Sequence, residues 1–117
     1  MQLLYAREKL LYHKYHEAIE EYQKVLLMPD IKAPNRFLVL LDAHYQIAQC
    51  FLAIGDYWET ISYCQDFIYL DPTYRDPYFL MAEAYVSLTL HTLAEATAKA
   101  GFEYGVKHND WVETANS

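Results

Sequence analysis

With 117 residues the chain has room for one domain with a continuous apolar core, and none for a cofactor-binding fold joined to a separate substrate domain. A hydrophobic fraction of 54% with only three glycines and four prolines excludes a disordered chain. The net charge of −7 is unevenly placed: residues 1–40 hold six Lys/Arg against five Asp/Glu, and residues 41–117 hold three against eleven, an acidic balance that excludes a phosphate backbone and favours a basic or neutral protein surface.

In residues 2–12 the apolar set Leu3, Leu4, Tyr5, Ala6, Leu10 and Leu11 forms a helical stripe opposite Arg7, Glu8 and Lys9. His13 and Lys14 interrupt that period, which resumes over residues 15–28 with Tyr15, Ala18, Ile19, Tyr22, Val25 and Leu26, so the pattern predicts two helices separated by a turn at His13. Pro29 and Asp30 stop the second helix. Pro34 suits the first turn of a third, which spans residues 35–54 and is closed by Gly55. Asp56 and Glu59 have capping-box spacing and open a fourth helix at Tyr57, which ends near Leu70 before Asp71 and Pro72. Asp76 and Pro77 open a fifth running to Leu88, and Thr92 with Glu95 offers a second capping box for a sixth reaching Val106. Residues 107–117 are polar apart from Trp111, Val112 and Ala115, and read as a frayed or packed tail or as the start of a further element.

No apolar run exceeds five residues, well short of the roughly 18–20 that a membrane span requires. No charged-then-apolar leader opens the sequence, and Cys50 and Cys64 make no disulfide framework of the secreted kind, so a soluble cytoplasmic protein is expected. Twelve tyrosines supply large rings with polar tips, suited to helix junctions and half-exposed grooves.

The chain repeats itself. A shift of 34 residues lays Asp42 on Asp76, Tyr45 on Phe79, Ile47 on Met81, Ala48 on Ala82, Phe51 on Tyr85 and Thr60 on Ala94. A shift of 42 the other way lays Ala6 under Ala48, Leu10 under Leu52, Tyr15 under Tyr57, Ile19 under Ile61 and Val25 under Phe67. Small residues recur where helices cross and large ones between crossings, as a stack of helix pairs requires. On these residues the chain resembles the tetratricopeptide repeat family, most strongly from Asp42 to Tyr104. The resemblance implies an all-α fold, a right-handed α-solenoid of three hairpins and about six helices in a single domain, with hairpins at 2–30, 35–72 and 75–106 and a tail at 107–117. There are departures: Thr60 and Phe67 replace small residues and could splay the central hairpin, and His13 stands where the first repeat would have its glycine turn.

In that family the first helix of each pair lines a concave groove. Carried across, the groove positions are Arg7, Leu11, Asp42, Tyr45, Gln49, Asp76, Phe79 and Glu83, aromatic and aliphatic side chains among carboxylates and amides, which implies a protein or peptide partner with basic and apolar residues. A narrower resemblance joins Tyr5-Ala6-Arg7-Glu8-Lys9-Leu10, Tyr15-His16-Glu17-Ala18-Ile19 and Asp71-Pro72-Thr73-Tyr74-Arg75-Asp76-Pro77-Tyr78 to the tetratricopeptide segment that follows the catalytic domain in bacterial family-2 glycosyltransferases. It implies an accessory region that positions or dimerises such an enzyme, with the catalytic residues outside the sequence, which has no Asp-x-Asp.

Chemistry-bearing patterns are weak. His13 and His16 have a metal-capable spacing but no third ligand nearby, and read as a solvated pair. His44, His91 and His108 are scattered and read as packing residues. Cys50 and Cys64 read as small buried hydrophobes, and no glycine-rich phosphate loop or nucleophile elbow occurs. No enzyme, cofactor or metal is expected of this segment. It reads as an interaction module, and a homodimer is compatible with it.

Overall fold

The computed structural model describes the backbone of residues 2–27 and 35–111, and side chains at 11–27 and 36–111. The described residues form five helices and no strand: α1 (Gln2–Leu27), α2 (Asn35–Ala53), α3 (Tyr57–Leu70), α4 (Asp76–Ser87) and α5 (His91–Tyr104). The Pro29-Asp30 stop and the Pro34 start expected from the sequence lie outside the described residues.

The expected turn at His13 does not occur. Residues 2–27 make one helix of 26 residues, about 39 Å at 1.5 Å per residue, and the count is five helices where six were expected. The physical reason lies in the residues at the supposed break. Neither His nor Lys breaks a helix as Gly or Pro does. Contacts one turn apart also span the site: His13 Nε2 lies 2.9 Å from Glu17 Oε1, and the Tyr12 and His16 rings are 4.5 Å apart. A shift in the hydrophobic stripe reorients the buried face without stopping the helix. The first hairpin expected from the repeat is therefore absent, and α1 reaches the rest of the fold through Ile19, Tyr22 and Leu26, which pack on Ile47, Phe51 and Ile54.

From α2 onward the expected bounds hold to within two residues. Gly55, at φ 85°, takes the left-handed position after α2, while the Gly55 and Asp56 backbone N–H groups donate to Leu52 and Phe51 carbonyls at 3.1 and 2.9 Å. The predicted capping boxes are not made. Asp56 precedes α3 without a side-chain cap, and instead the Thr60 hydroxyl donates back to the Asp56 carbonyl at 3.1 Å. Likewise α5 starts two residues early, at His91, with Leu90 rather than Thr92 at the cap position. Pro77 does occupy the first turn of α4.

Each helix packs on the next in sequence, and α2 also packs on α4. The resulting slab measures 48 × 38 × 21 Å. Its main core joins Ala48, Ile61, Cys64, Leu80, Met81, Ala84, Tyr85 and Ala94, with alanines at the crossings where backbones approach. Thr60 and Phe67 do not open the α2–α3 pair, since both are fully buried. The Thr60 hydroxyl can be buried because its bond to Asp56 satisfies it. Cys50 and Cys64 are free thiols in separate clusters. Burial pushes both upward, away from the reactive thiolate. Among the described residues no helix is long and apolar enough to cross a membrane.

The α4–α5 turn carries Thr89 at φ 58°, a left-handed position held by a β-branched residue. Relief of about 1–2 kcal/mol of strain, less about 0.5–1 kcal/mol of added chain entropy, should make Thr89→Gly more stable by roughly 0.5–1 kcal/mol. Gly55→Ala should be less stable by about 1–2 kcal/mol. Denaturant unfolding of the two variants checks the opposite signs.

Candidate functional site

Packing of α4 against α2 brings two rows of the sequence-predicted groove residues together: Asp42, Tyr45 and Gln49 on α2, and Asp76 and Glu83 on α4. The spacing is three and four residues along α2 and seven, about two turns, along α4, so the side chains of each row follow one helical face. At one end Gln49, Leu52 and Ala53 face Leu80, Glu83 and Ser87, with Tyr57 closing the side, around an open pocket of about 500 Å³. Leu11 is exposed on α1 and lines an adjoining hollow that shares Ala53. Phe79 turns toward α5, its ring 5.2 Å from Phe102. Gly101 permits that approach, since a Cβ there would lie 2.8 Å from Tyr78 Cβ and 3.1 Å from Phe79 Cε1. The side chain of Arg7 lies outside the described residues.

The other end of the face is filled by the chain itself. After α5, Gly105 passes so close to Arg75 that a Cβ would collide with the Arg75 Cβ. Residue 107 then pairs in parallel with Tyr74: the Lys107 N–H donates to the Thr73 carbonyl at 2.9 Å and the Arg75 N–H to the Lys107 carbonyl at 3.0 Å. Lys107 Nζ lies 3.7 Å from Asp71 and 5.2 Å from the Tyr74 ring centroid. His108 Nδ1 sits 2.8 Å from Asp76 Oδ1. The Asn109 N–H donates to Asp76 Oδ2 at 3.1 Å, from a left-handed φ of 56° that asparagine tolerates. The segment ends in Trp111, fully buried among Tyr45, Phe67 and Tyr74 at ring-centroid distances of 5.3, 5.2 and 4.9 Å. All three contacts are edge-to-face, the favourable arrangement for aromatic quadrupoles. The indole Nε1–H donates to Asp42 Oδ1 at 3.1 Å.

Three carboxylates thus serve the segment. Asp76 is buried, and both of its oxygens are engaged by residues 108 and 109. Its place in the first turn of α4 adds the favourable field of the helix N-terminus. Tyr45 is pushed up to about 12, by burial first and then by the Asp76 carboxylate. Tyr74 is pushed up by burial and then by its hydrogen bond to Asp110. Phenols are neutral at physiological pH and these shifts move both further from ionisation, so the face offers rings and hydroxyls edged by fixed negative charge.

Neither a family model, nor a curated protein, nor a solved structure matches this chain.

His13 and His16 do not form a pair. His13 meets Glu17, whereas His16 is half-buried against Tyr12. His108, read from sequence as a packing residue, is exposed and joined to Asp76. Among the described residues no group of three or more His, Cys, Asp and Glu side chains is placed to hold a metal ion. The residue that sequence reasoning missed is Trp111. One signal could have found it: the 34-residue shift that lays Asp42 on Asp76 continues to Asp110, the neighbour of Trp111.

Because Tyr45 and Tyr74 hold their protons more tightly folded than unfolded, the unfolded chain releases protons first as pH rises above 10. The stability from these neutral phenols is complete below pH 10 and is lost as pH rises toward 12 and beyond. Urea unfolding across pH 9–12 should show a falling midpoint, and the fall should be shallower in a Tyr45→Phe, Tyr74→Phe chain. An equal slope in that variant would place the alkaline sensitivity elsewhere.

Proposed function

We propose that the chain is a non-catalytic interaction module of the tetratricopeptide kind, which binds an extended peptide or protein segment along the α2–α4 face. The observation that carries this reading is that the face already holds a non-helical segment, residues 105–109, and the Trp111 that follows it, through backbone pairing, carboxylates and an aromatic pocket. Sequential packing of α2 to α5, with α2 also on α4, supports an arrangement of two stacked hairpins preceded by the long α1, as the right-handed solenoid reading requires. The partner would add basic and apolar side chains to a surface bearing Asp42, Asp71, Asp76 and Glu83, the last beside the open pocket. Free thiols at Cys50 and Cys64 fit a reducing compartment such as the cytoplasm.

A second reading rests on the far edge, where the apolar side chains of Phe102 and Val106 are 79% and 74% exposed. That apolar edge suits contact with an adjoining domain or a second copy, as in an accessory region of a family-2 glycosyltransferase. The coding sequence upstream of Met1 separates the readings, since a nucleotide-sugar domain with Asp-x-Asp belongs to the second alone.

Gln49 and Glu83 line the open pocket with exposed side chains, so replacing them leaves the core intact. Peptides selected on the immobilised chain from a random displayed library should bind a Gln49→Ala, Glu83→Lys chain at least about tenfold more weakly, about 1.4 kcal/mol, with an unchanged helical spectrum. Full affinity in the folded double variant would remove this face from the binding surface.

A further inference from the structure

We propose that residues 105–111 are an exchangeable self-ligand, a strap seated in a subsite for peptides that carry a tryptophan four residues after a lysine or arginine. The inference rests on the reading of the α2–α4 face as a peptide-binding surface and names what one end of that surface recognises.

The strap is held as a ligand is held. Only its last described residue is buried; Lys107, His108, Asn109 and Asp110 are exposed. Trp111 belongs to a cluster with Leu41, Phe67 and Tyr74, separate from the larger core of Ala48, Ile61, Cys64, Leu80, Met81 and Ala84, which contains no strap residue. Each polar group in the subsite is one that another peptide could satisfy: the Thr73 carbonyl and Arg75 N–H pair with any backbone, Asp71 accepts a cation, Asp76 accepts a backbone N–H with a neighbouring donor, and Asp42 accepts an indole N–H. When the strap leaves, those carboxylates regain water, which offsets part of the lost contact. The ring pocket of Leu41, Tyr45, Phe67 and Tyr74 differs, because emptied it would expose apolar surface. Replacement of one indole by another is therefore favoured over simple opening. The spacing of the recognised residues follows from the strap itself, since Lys107 reaches Asp71 while Trp111 fills the pocket.

Gly105 gives a way to release the strap without touching the core. A Cβ there meets Arg75 and the Gly101 carbonyl, so Gly105→Ala displaces the segment at its hinge while Trp111 and the helices keep their side chains. The probe is a fluorescein-labelled peptide of residues 105–113, followed by anisotropy with the unmodified full chain and with the Gly105→Ala chain. The variant should bind at least tenfold more tightly than the unmodified chain, with unchanged helicity. The same peptide with Trp111→Ala should not bind, and with Lys107→Glu it should bind more weakly.

A folded variant with no gain, or equal binding of the tryptophan-free peptide, overturns the proposal. Amide hydrogen exchange on the unmodified chain tests it independently of any variant. The Lys107 and Asn109 amides should exchange at least tenfold faster than the Ala84 and Leu88 amides in and after α4; exchange of all four only with global unfolding makes the segment part of the core and overturns the proposal. Failure here, with library-selected peptides still lost on Gln49→Ala, Glu83→Lys, sinks the strap and leaves the groove reading standing. Loss of both sets of binding sinks the groove reading as well.

Discussion

The fold depends on the burial of α4. Of its twelve residues eight are buried, because α2, α3 and α5 all pack on it. A helix covered on three sides needs small residues where neighbours cross, which Ala82 and Ala84 supply, and it has little room for polar groups. Its N-terminus nevertheless holds a carboxylate. Asp76 is buried with the first turn of the helix, and an unpaired buried charge there would be costly. Residues 108 and 109 resolve that cost by placing one donor on each oxygen. The packing of α4 thus creates the polar anchor to which the tail attaches, and Tyr74, just before α4, supplies one wall of the indole pocket.

The strap is close to energetic balance. Burying an indole removes about 150–250 Å² from water, roughly 4–6 kcal/mol at about 25 cal/mol per Å². Hydrogen bonds to Asp42, Asp76 and the Thr73–Arg75 backbone add about 0.5–1.5 kcal/mol each. Against this, ordering the seven residues of the strap costs about 1–2 kcal/mol apiece. The terms lie within a few kcal/mol of cancelling, the range in which a competing peptide shifts occupancy by mass action. The chemistry of the face is consistent with recognition: burial shifts the Tyr45 and Tyr74 phenols upward, further from ionisation near neutral pH.

What was legible in the sequence was local. Gly55, Pro72 and Pro77 punctuate α2, α3 and α4 by fixing or restricting the backbone, and the 34-residue shift pairs Asp42 with Asp76 and Ala48 with Ala82. Three features were not local and were misread or missed. The supposed break at His13 confused a rotating apolar stripe with a chain turn, and no residue there forces one. The Asp56 and Thr92 caps have the right spacing, yet a spacing does not set the cap dihedrals, and Asp56 at φ −93°, ψ 76° makes no side-chain bond to the helix. Trp111 sits in a polar tail with no period of its own. Its environment comes from Asp42, 69 residues earlier, and from rings on two other parts of the chain. Of the eight groove positions, Asp42, Tyr45, Gln49, Asp76 and Glu83 share the α2–α4 face, Leu11 lies on the adjoining hollow and Phe79 belongs to the α4–α5 contact.

The register of the tail ties the repeat to the site. The shift of 34 that carries Asp42 to Asp76 carries Asp76 to Asp110, and residues 110–111 are already helical. On the repeat reading proposed above, Trp111 stands one residue into the next unit of the series. That position is one a stacked unit is built to accept: it lies against the start of α4, it offers Asp76 to donors from the incoming backbone, and it buries an apolar side chain between α2 and α3. In a repeat array the surface that receives the next unit is normally consumed by stacking. Among the described residues, the chain after α5 reaches that surface and buries one side chain there, Trp111. On the reading proposed above, a peptide competes for the surface that residues 105–111 hold. The same geometry that would extend the stack thereby becomes a means of recognition.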